Sequence, residues 1–225
     1  MNRHILFILL MCFCNNVQAQ LDLSAGPQTG YPLLFNGLNK AGYTQSVSVG
    51  FGATVAYKFG NSYFYPALSA SVSALTLPVA RSDGFVWSNE FTKRDVMLNL
   101  KHGSLLNNTE INWYAGIGVA FVSADASSLS ATSGNYRGSV SDSSKYETAS
   151  AAADIGFDFR FRFSQTNPHW LWGADANLQA VYITGEYGHF YINSGNSITR
   201  TDINGILLSG TLSVSIIYRI GKTDQ

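Results

Sequence analysis

A chain of 225 residues with equal numbers of acidic and basic side chains and no basic run lacks the electrostatic footprint of a nucleic-acid binder. Only 12% of its residues are charged, against about 25% in an average soluble protein, while 13% are aromatic. Such a chain has more apolar surface than an ordinary water-facing exterior can hold, and must place it elsewhere.

The first residues read MNRHILFILLMCFCNNVQAQ. Arg3 supplies a positive start, residues 5–14 form a short apolar run, and Val17-Gln18-Ala19 is a small-residue cleavage site. This pattern predicts a secretory signal peptide over residues 1–19, cut after Ala19. The run is too short for a spanning helix, which needs about 20 residues. Leu10-Met11 before Cys12 and Phe13 before Cys14 do not fit a lipoprotein signal. Both cysteines leave with the signal, so residues 20–225 are expected to hold together as one domain without thiol or disulfide. No later segment approaches a membrane helix. Entry into a membrane then requires a closed β-barrel, the other structure that satisfies every backbone amide in lipid.

Period-two alternation marks eight strands along the exported chain. The first, residues 20–26, puts Leu21, Leu23 and Ala25 on one face. The second, 45–59, runs from Val47 through Phe51 and Val55 to Tyr57 and Phe59, and Gly60-Asn61 then makes a tight turn. The third, 62–76, carries Phe64, Leu68 and Val72, with a bulge expected at Pro66. The fourth, 94–101, carries Val96, Leu98 and Leu100. The fifth, 110–122, carries Ile111, Trp113, Ile117, Val119 and Phe121. The sixth, 147–163, ends in ADIGFDFRFRF, with large apolar residues at every second position from Ile155. The seventh, 170–184, carries Trp172, Leu178 and Tyr182. The eighth, 205–220, carries Ile206, Leu212, Val214, Ile216 and Tyr218.

Short connections (60–61, 102–109, 164–169) alternate with long ones (27–44, 77–93, 123–146, 185–204). That is the pattern of an all-β, eight-stranded antiparallel up-and-down transmembrane β-barrel, with short turns and both termini periplasmic and four long loops outside. A soluble β-sandwich also alternates. Three features favour the barrel. The polar faces are small, as in Ser209, Thr211, Ser213 and Ser215, which suits the narrow lumen of about eight strands. The apolar faces carry no charge in their central stretches. Aromatics gather beside the short turns: Tyr57, Phe59, Phe64, Trp113, Phe161, Phe163, Trp170, Trp172 and Tyr218 would form a girdle at one membrane level.

The same parity points Asp154, Asp158, Arg160 and Arg162 inward, together with Asp22, Lys58, Lys101, Glu110, Asp175 and Arg219. Five positive and five negative groups in a confined space are tolerable only when paired. They predict a salt-bridged plug and no open pore. An ion or proton path through them is the competing reading.

On this strand pattern, and on the ending Leu212-Ser-Val-Ser-Ile-Ile-Tyr-Arg-Ile220, the chain resembles the small OmpA/OmpX-like outer-membrane barrels. The resemblance covers residues 20–220. It implies a Gram-negative outer-membrane location, contact with outer-membrane lipid and lipopolysaccharide, and recognition by the barrel-assembly machinery. Residues 221–225 continue past the point where many members end on an aromatic. Members include adhesins, structural proteins, small-solute channels and lipid enzymes, so the resemblance does not select a task.

Chemistry is thinly signalled. His102 and His169 fall at short turns and read as polar turn residues. His189 lies in a long loop with Glu186 and Ser194, but no motif fixes their geometry. No cysteine, paired histidine or Asp-rich loop points to a metal or other cofactor. Loop aromatics at Tyr31, Phe35, Phe85, Trp87, Phe91, Tyr187 and Phe190 are candidates for contact with an extracellular ligand or protein. The sequence therefore reads as a non-enzymatic barrel with a structural or surface-interaction role. A narrow solute channel and a lipid-modifying enzyme are the alternatives.

Overall fold

A computed structural model describes residues 19–34, 47–59, 62–80, 86–106, 109–124, 130–131, 146–164, 167–183, 189–193, 198–202 and 205–221. The predicted signal segment up to residue 18 lies outside them. The described residues form strands β1 (Ala19–Leu34), β2 (Ser48–Phe59), β3 (Phe64–Ala80), β4 (Val86–Leu106), β5 (Thr109–Ala124), β6 (Ser130–Ala131), β7 (Tyr146–Ser164), β8 (Asn167–Ile183), β9 (His189–Asn193), β10 (Ile198–Asp202) and β11 (Gly205–Gly221). Eight of these (β1, β2, β3, β4, β5, β7, β8 and β11) make a closed antiparallel sheet, each pairing with the next. β1 and β11 close it in register from Gln20↔Gly221 to Leu34↔Leu207. Closure leaves no sheet edge to solvate, which a lipid environment demands. β6 adds two residues beside Trp87 and Ser88 of β4, and β9 and β10 form a separate hairpin.

The wall is inside out relative to a soluble core. Along β7, Ala152, Asp154, Gly156, Asp158 and Arg160 are buried, while Ile155, Phe157, Phe159 and Phe161 are exposed. Phe157 is 56% exposed and Arg160 only 4%. A sandwich would bury the phenylalanines between its sheets and turn the arginine to water, so the sandwich alternative is excluded. β2, β5 and β11 repeat the pattern with Val49, Phe51, Val55, Ile117, Val119, Leu212, Val214 and Ile216 all outward.

The strands run longer than the alternation indicates. β1 continues to Leu34 through the segment read as a loop from residue 27, and β4 starts at Val86 and reaches Leu106. β3 and β4 pair as far as Ala80↔Val86, so the expected long connection over 77–93 is mostly hairpin. The expected turns 102–109 and 164–169 shrink in the same way, because Leu106 pairs with Thr109 and Ser164 with Asn167. The bulge expected at Pro66 is absent. Pro66 faces Leu100 in unbroken register, and the pairing of β3 with β2 ends at Ala67, where a residue without an N–H does least harm. The register shift lies instead between Arg162 and Ser164. The turn at residues 60–61 lies outside the described residues, and Ser62 N–H donates to Phe59 C=O across it (2.9 Å).

Candidate functional site

Because every second residue points inward, the lumen is built from one face of each strand. It has three layers. Nearest the end that carries β1's start and β11's finish, Asp22 sits between two guanidiniums. Arg219 holds it with Nε at 2.8 Å and Nη2 at 3.0 Å, and Arg160 Nη1 bonds its second oxygen. Arg219 also donates to both oxygens of Glu110 (2.5 and 2.7 Å). Arg160 grips Asp158 through Nε (2.9 Å) and Nη2 (3.1 Å), and Asp158 takes a further bond from Lys101 (2.5 Å). Neutral donors complete the set. Asn112 donates to Asp158 (2.6 Å), Tyr65 hydroxyl to Asn112 (2.8 Å), and Gln20 to both Asp22 oxygens (3.1 Å each). These contacts from six strands tie the barrel across its bore.

The middle layer is a polar chamber of about 100 Å³, lined among others by Thr54, Ser71, Asn99, Asp154, Asp175 and Gln179. A polar space of that size holds several waters. Lys93 spans it, pairing with Asp95 (3.3 Å) and donating to Gln179. Ser71 also donates to Asp95 (3.0 Å), and Tyr114 hydroxyl donates to Asp175 (3.0 Å). Tyr114 reaches Asp175 by lying over Gly156, its cross-strand partner. A Cβ at Gly156 would stand 2.6 Å from the Tyr114 ring and hydroxyl and 2.7 Å from Ala176 C=O. Gly156→Val is therefore expected to displace Tyr114 and destabilise the barrel by about 1–3 kcal/mol, read as a lower urea midpoint.

The third layer, toward the opposite end, is apolar. Pro32, Leu75, Phe91, Val122, Val181 and Leu207 face inward and are nearly fully buried. They give that end of the bore a largely apolar lining in place of the charged pairs.

Of the ten charges read from parity, Asp22, Lys101, Glu110, Asp158, Arg160 and Arg219 share the bonded network. Asp154 and Asp175 line the chamber. Lys58 and Arg162 are half-buried near the ends of β2 and β7. Sequence reasoning missed Lys93 and Asp95, which are buried in the lumen. The parity of Val96, Leu98 and Leu100 already pointed Asp95 inward.

The girdle residues all lie on the barrel wall. Phe64 meets Trp113 edge-on at 6.1 Å, Phe163 stacks on Trp172 at 4.8 Å, Trp170 lies 4.8 Å from Tyr218, and Tyr57 is edge-on to Phe59 at 4.4 Å. Phe161 faces outward beside them, paired with Trp172 in register. His102 is not a free turn residue. It stacks on Trp113 at 5.2 Å and touches Phe64 at 4.6 Å. His169 likewise stands on β8, its Nδ1 2.8 Å from Arg219 C=O.

The loop aromatics divide. Phe91 is not a surface contact, since it is 3% exposed and part of the apolar layer. Tyr31 is exposed, but on the wall of β1 rather than in a loop. Trp87 and Phe190 fall on the strands β4 and β9. Phe35, Phe85 and Tyr187 lie outside the described residues.

No family model matches the chain, and no curated protein does. Solved structures do match. OprG, an outer-membrane protein of Pseudomonas aeruginosa, superposes with a TM-score of 0.53 at 13% identity, over 92% of this chain and 98% of that one. Neisserial surface protein A superposes with a TM-score of 0.51 at 10% identity, over 88% and 96%. At such identities the likeness concerns the fold alone. The fold is that of the small eight-stranded outer-membrane β-barrels, the OmpA/OmpX-like architecture.

Proposed function

We propose that this protein is a non-enzymatic outer-membrane barrel with a blocked lumen, acting structurally or through surface contacts made by its outer loops. The short-turn end, with both termini, faces the periplasm. The observation that carries the reading is the filling of the bore: a salt-bridged layer at one end, an apolar layer at the other, and a small chamber between. Side chains bonded to one another across the bore fill much of it, which favours a scaffold over a channel. His102 and His169, the histidines whose side chains are described, belong to the aromatic wall, which supports the non-enzymatic reading. Insertion by the barrel-assembly machinery, and an external ligand or protein at the loops, belong to the same proposal.

In planar bilayers the purified chain is expected to give no unitary current. A reproducible current, lost when Asp158 and Arg160 are replaced by larger neutral side chains, would establish the channel alternative instead.

A further inference from the structure

Among the described side chains, the outward wall carries a charge that the lumen does not absorb. Arg94 of β4 is exposed and points away from the bore, between Val72 of β3 and Phe121 of β5 in register. Arg160 and Arg219 are each locked onto carboxylates, whereas Arg94 has no ion-pair or hydrogen-bond partner among the described residues.

Its height is informative. Below it on the same face the wall is apolar, with Val96 beside Val119 and Leu98 beside Ile117. Directly above it the wall turns polar, with Thr92 beside Ser123. The His102–Trp113 stack marks the other edge of the apolar belt. Arg94 lies eight residues along β4 from His102. At about 3.3 Å per residue and a tilt near 45°, that is about 19 Å of membrane depth, against an apolar band about 25 Å tall. The guanidinium can therefore snorkel from the belt edge to headgroup level. A planar fork of donors held there, with no carboxylate partner among the described residues, matches a phosphate oxyanion.

We infer that Arg94 is an anchor for a lipid phosphate, and that its occupant is the phosphorylated glycolipid of the leaflet at the long-loop end. This rests on the outer-membrane reading above, which sets that end outward. The stem of Arg94 would lie along Phe121 and Val72, and its guanidinium would meet the phosphate from the side.

The test uses the full exported chain folded in an uncharged detergent. Diphosphoryl lipid A, the same lipid with its phosphates removed, and inorganic phosphate are each added, and thermal unfolding is followed by gel mobility. Diphosphoryl lipid A should raise the unfolding midpoint of the wild type, and neither other probe should match it. Arg94→Gln should lose most of that shift, and Arg94→Lys should keep part of it. An equal shift in Arg94→Gln overturns the anchor, as does a wild-type shift reproduced by inorganic phosphate or by the dephosphorylated lipid. Gel mobility without ligand separates this from the parent reading: a wild type that shows no folded, heat-shifted band refutes the barrel itself. Arg94→Gln should still show that band.

Discussion

Asp22→Ala is expected to destabilise the folded barrel by about 3–5 kcal/mol, the usual consequence of removing one partner from a buried ion network. Two guanidiniums converge on this carboxylate, and the side chains of Arg160 and Arg219 are each 4% exposed. Without it they face one another across a narrow bore, with Glu110 and Asp158 left to hold them. Neither arginine can shed its proton to relieve the excess charge. Urea unfolding from phospholipid vesicles, with tryptophan fluorescence reporting on Trp113, Trp170 and Trp172, reads the loss. A balanced pair of changes, Asp22→Leu with Arg219→Met, should cost less than the sum of the two single changes, because it removes one charge of each sign. A cost below about 1 kcal/mol for Asp22→Ala would place the network among weak surface pairs and remove its sealing role.

The sequence exposes this network because a narrow barrel makes parity do most of the work. Once Phe157, Phe159 and Phe161 face lipid, Asp158 and Arg160 have only the bore to enter. What parity does not deliver is strand length. A tilted strand crosses the apolar core in about 9–11 residues, yet β4 has 21 and β7 has 19. Beyond the lipid there is no reason for alternate residues to be apolar, so the signal fades while the hydrogen-bonded ladder continues. The segment Phe91-Thr-Lys93 reads as loop for that reason, although it is strand throughout. Lys93 is thereby missing from the lumen that parity predicts, and Phe91 reads as a surface aromatic; Asp95 lies inside the expected strand 94–101 and is missed although its parity points inward. β1 shows the same effect, since its outward positions after Ala25 are Pro27 and Thr29. The apolar layer was hidden for a different reason. Inward Leu75, Val122 and Leu207 break the polar rule for a lumen, and only the closed geometry shows them buried inside the barrel.

A graded response to outward charge follows from the same geometry. Ile117 is the most exposed large apolar side chain of β5 at 70%, and it lies four residues above Trp113 in the girdle. That places it about 9 Å into the apolar band, near its middle. Ile117→Arg is expected to cost about 2–4 kcal/mol of stability in vesicles, because the guanidinium must be desolvated or must drag water and headgroups inward. Phe121→Arg, four residues further along the same face and level with Arg94, should carry a charge penalty of only about 0–1 kcal/mol, to which the loss of the ring's own contacts is added. Phe121→Leu measures that ring contribution separately, so the difference between Arg and Leu isolates the charge. The same pair in detergent micelles, where headgroups and water reach the wall more easily, should differ less. If the two positions respond alike in vesicles, the belt edge is not at Arg94. The wall would then lack the depth profile that turns an exposed arginine on β4 from a defect into a contact with lipid phosphate.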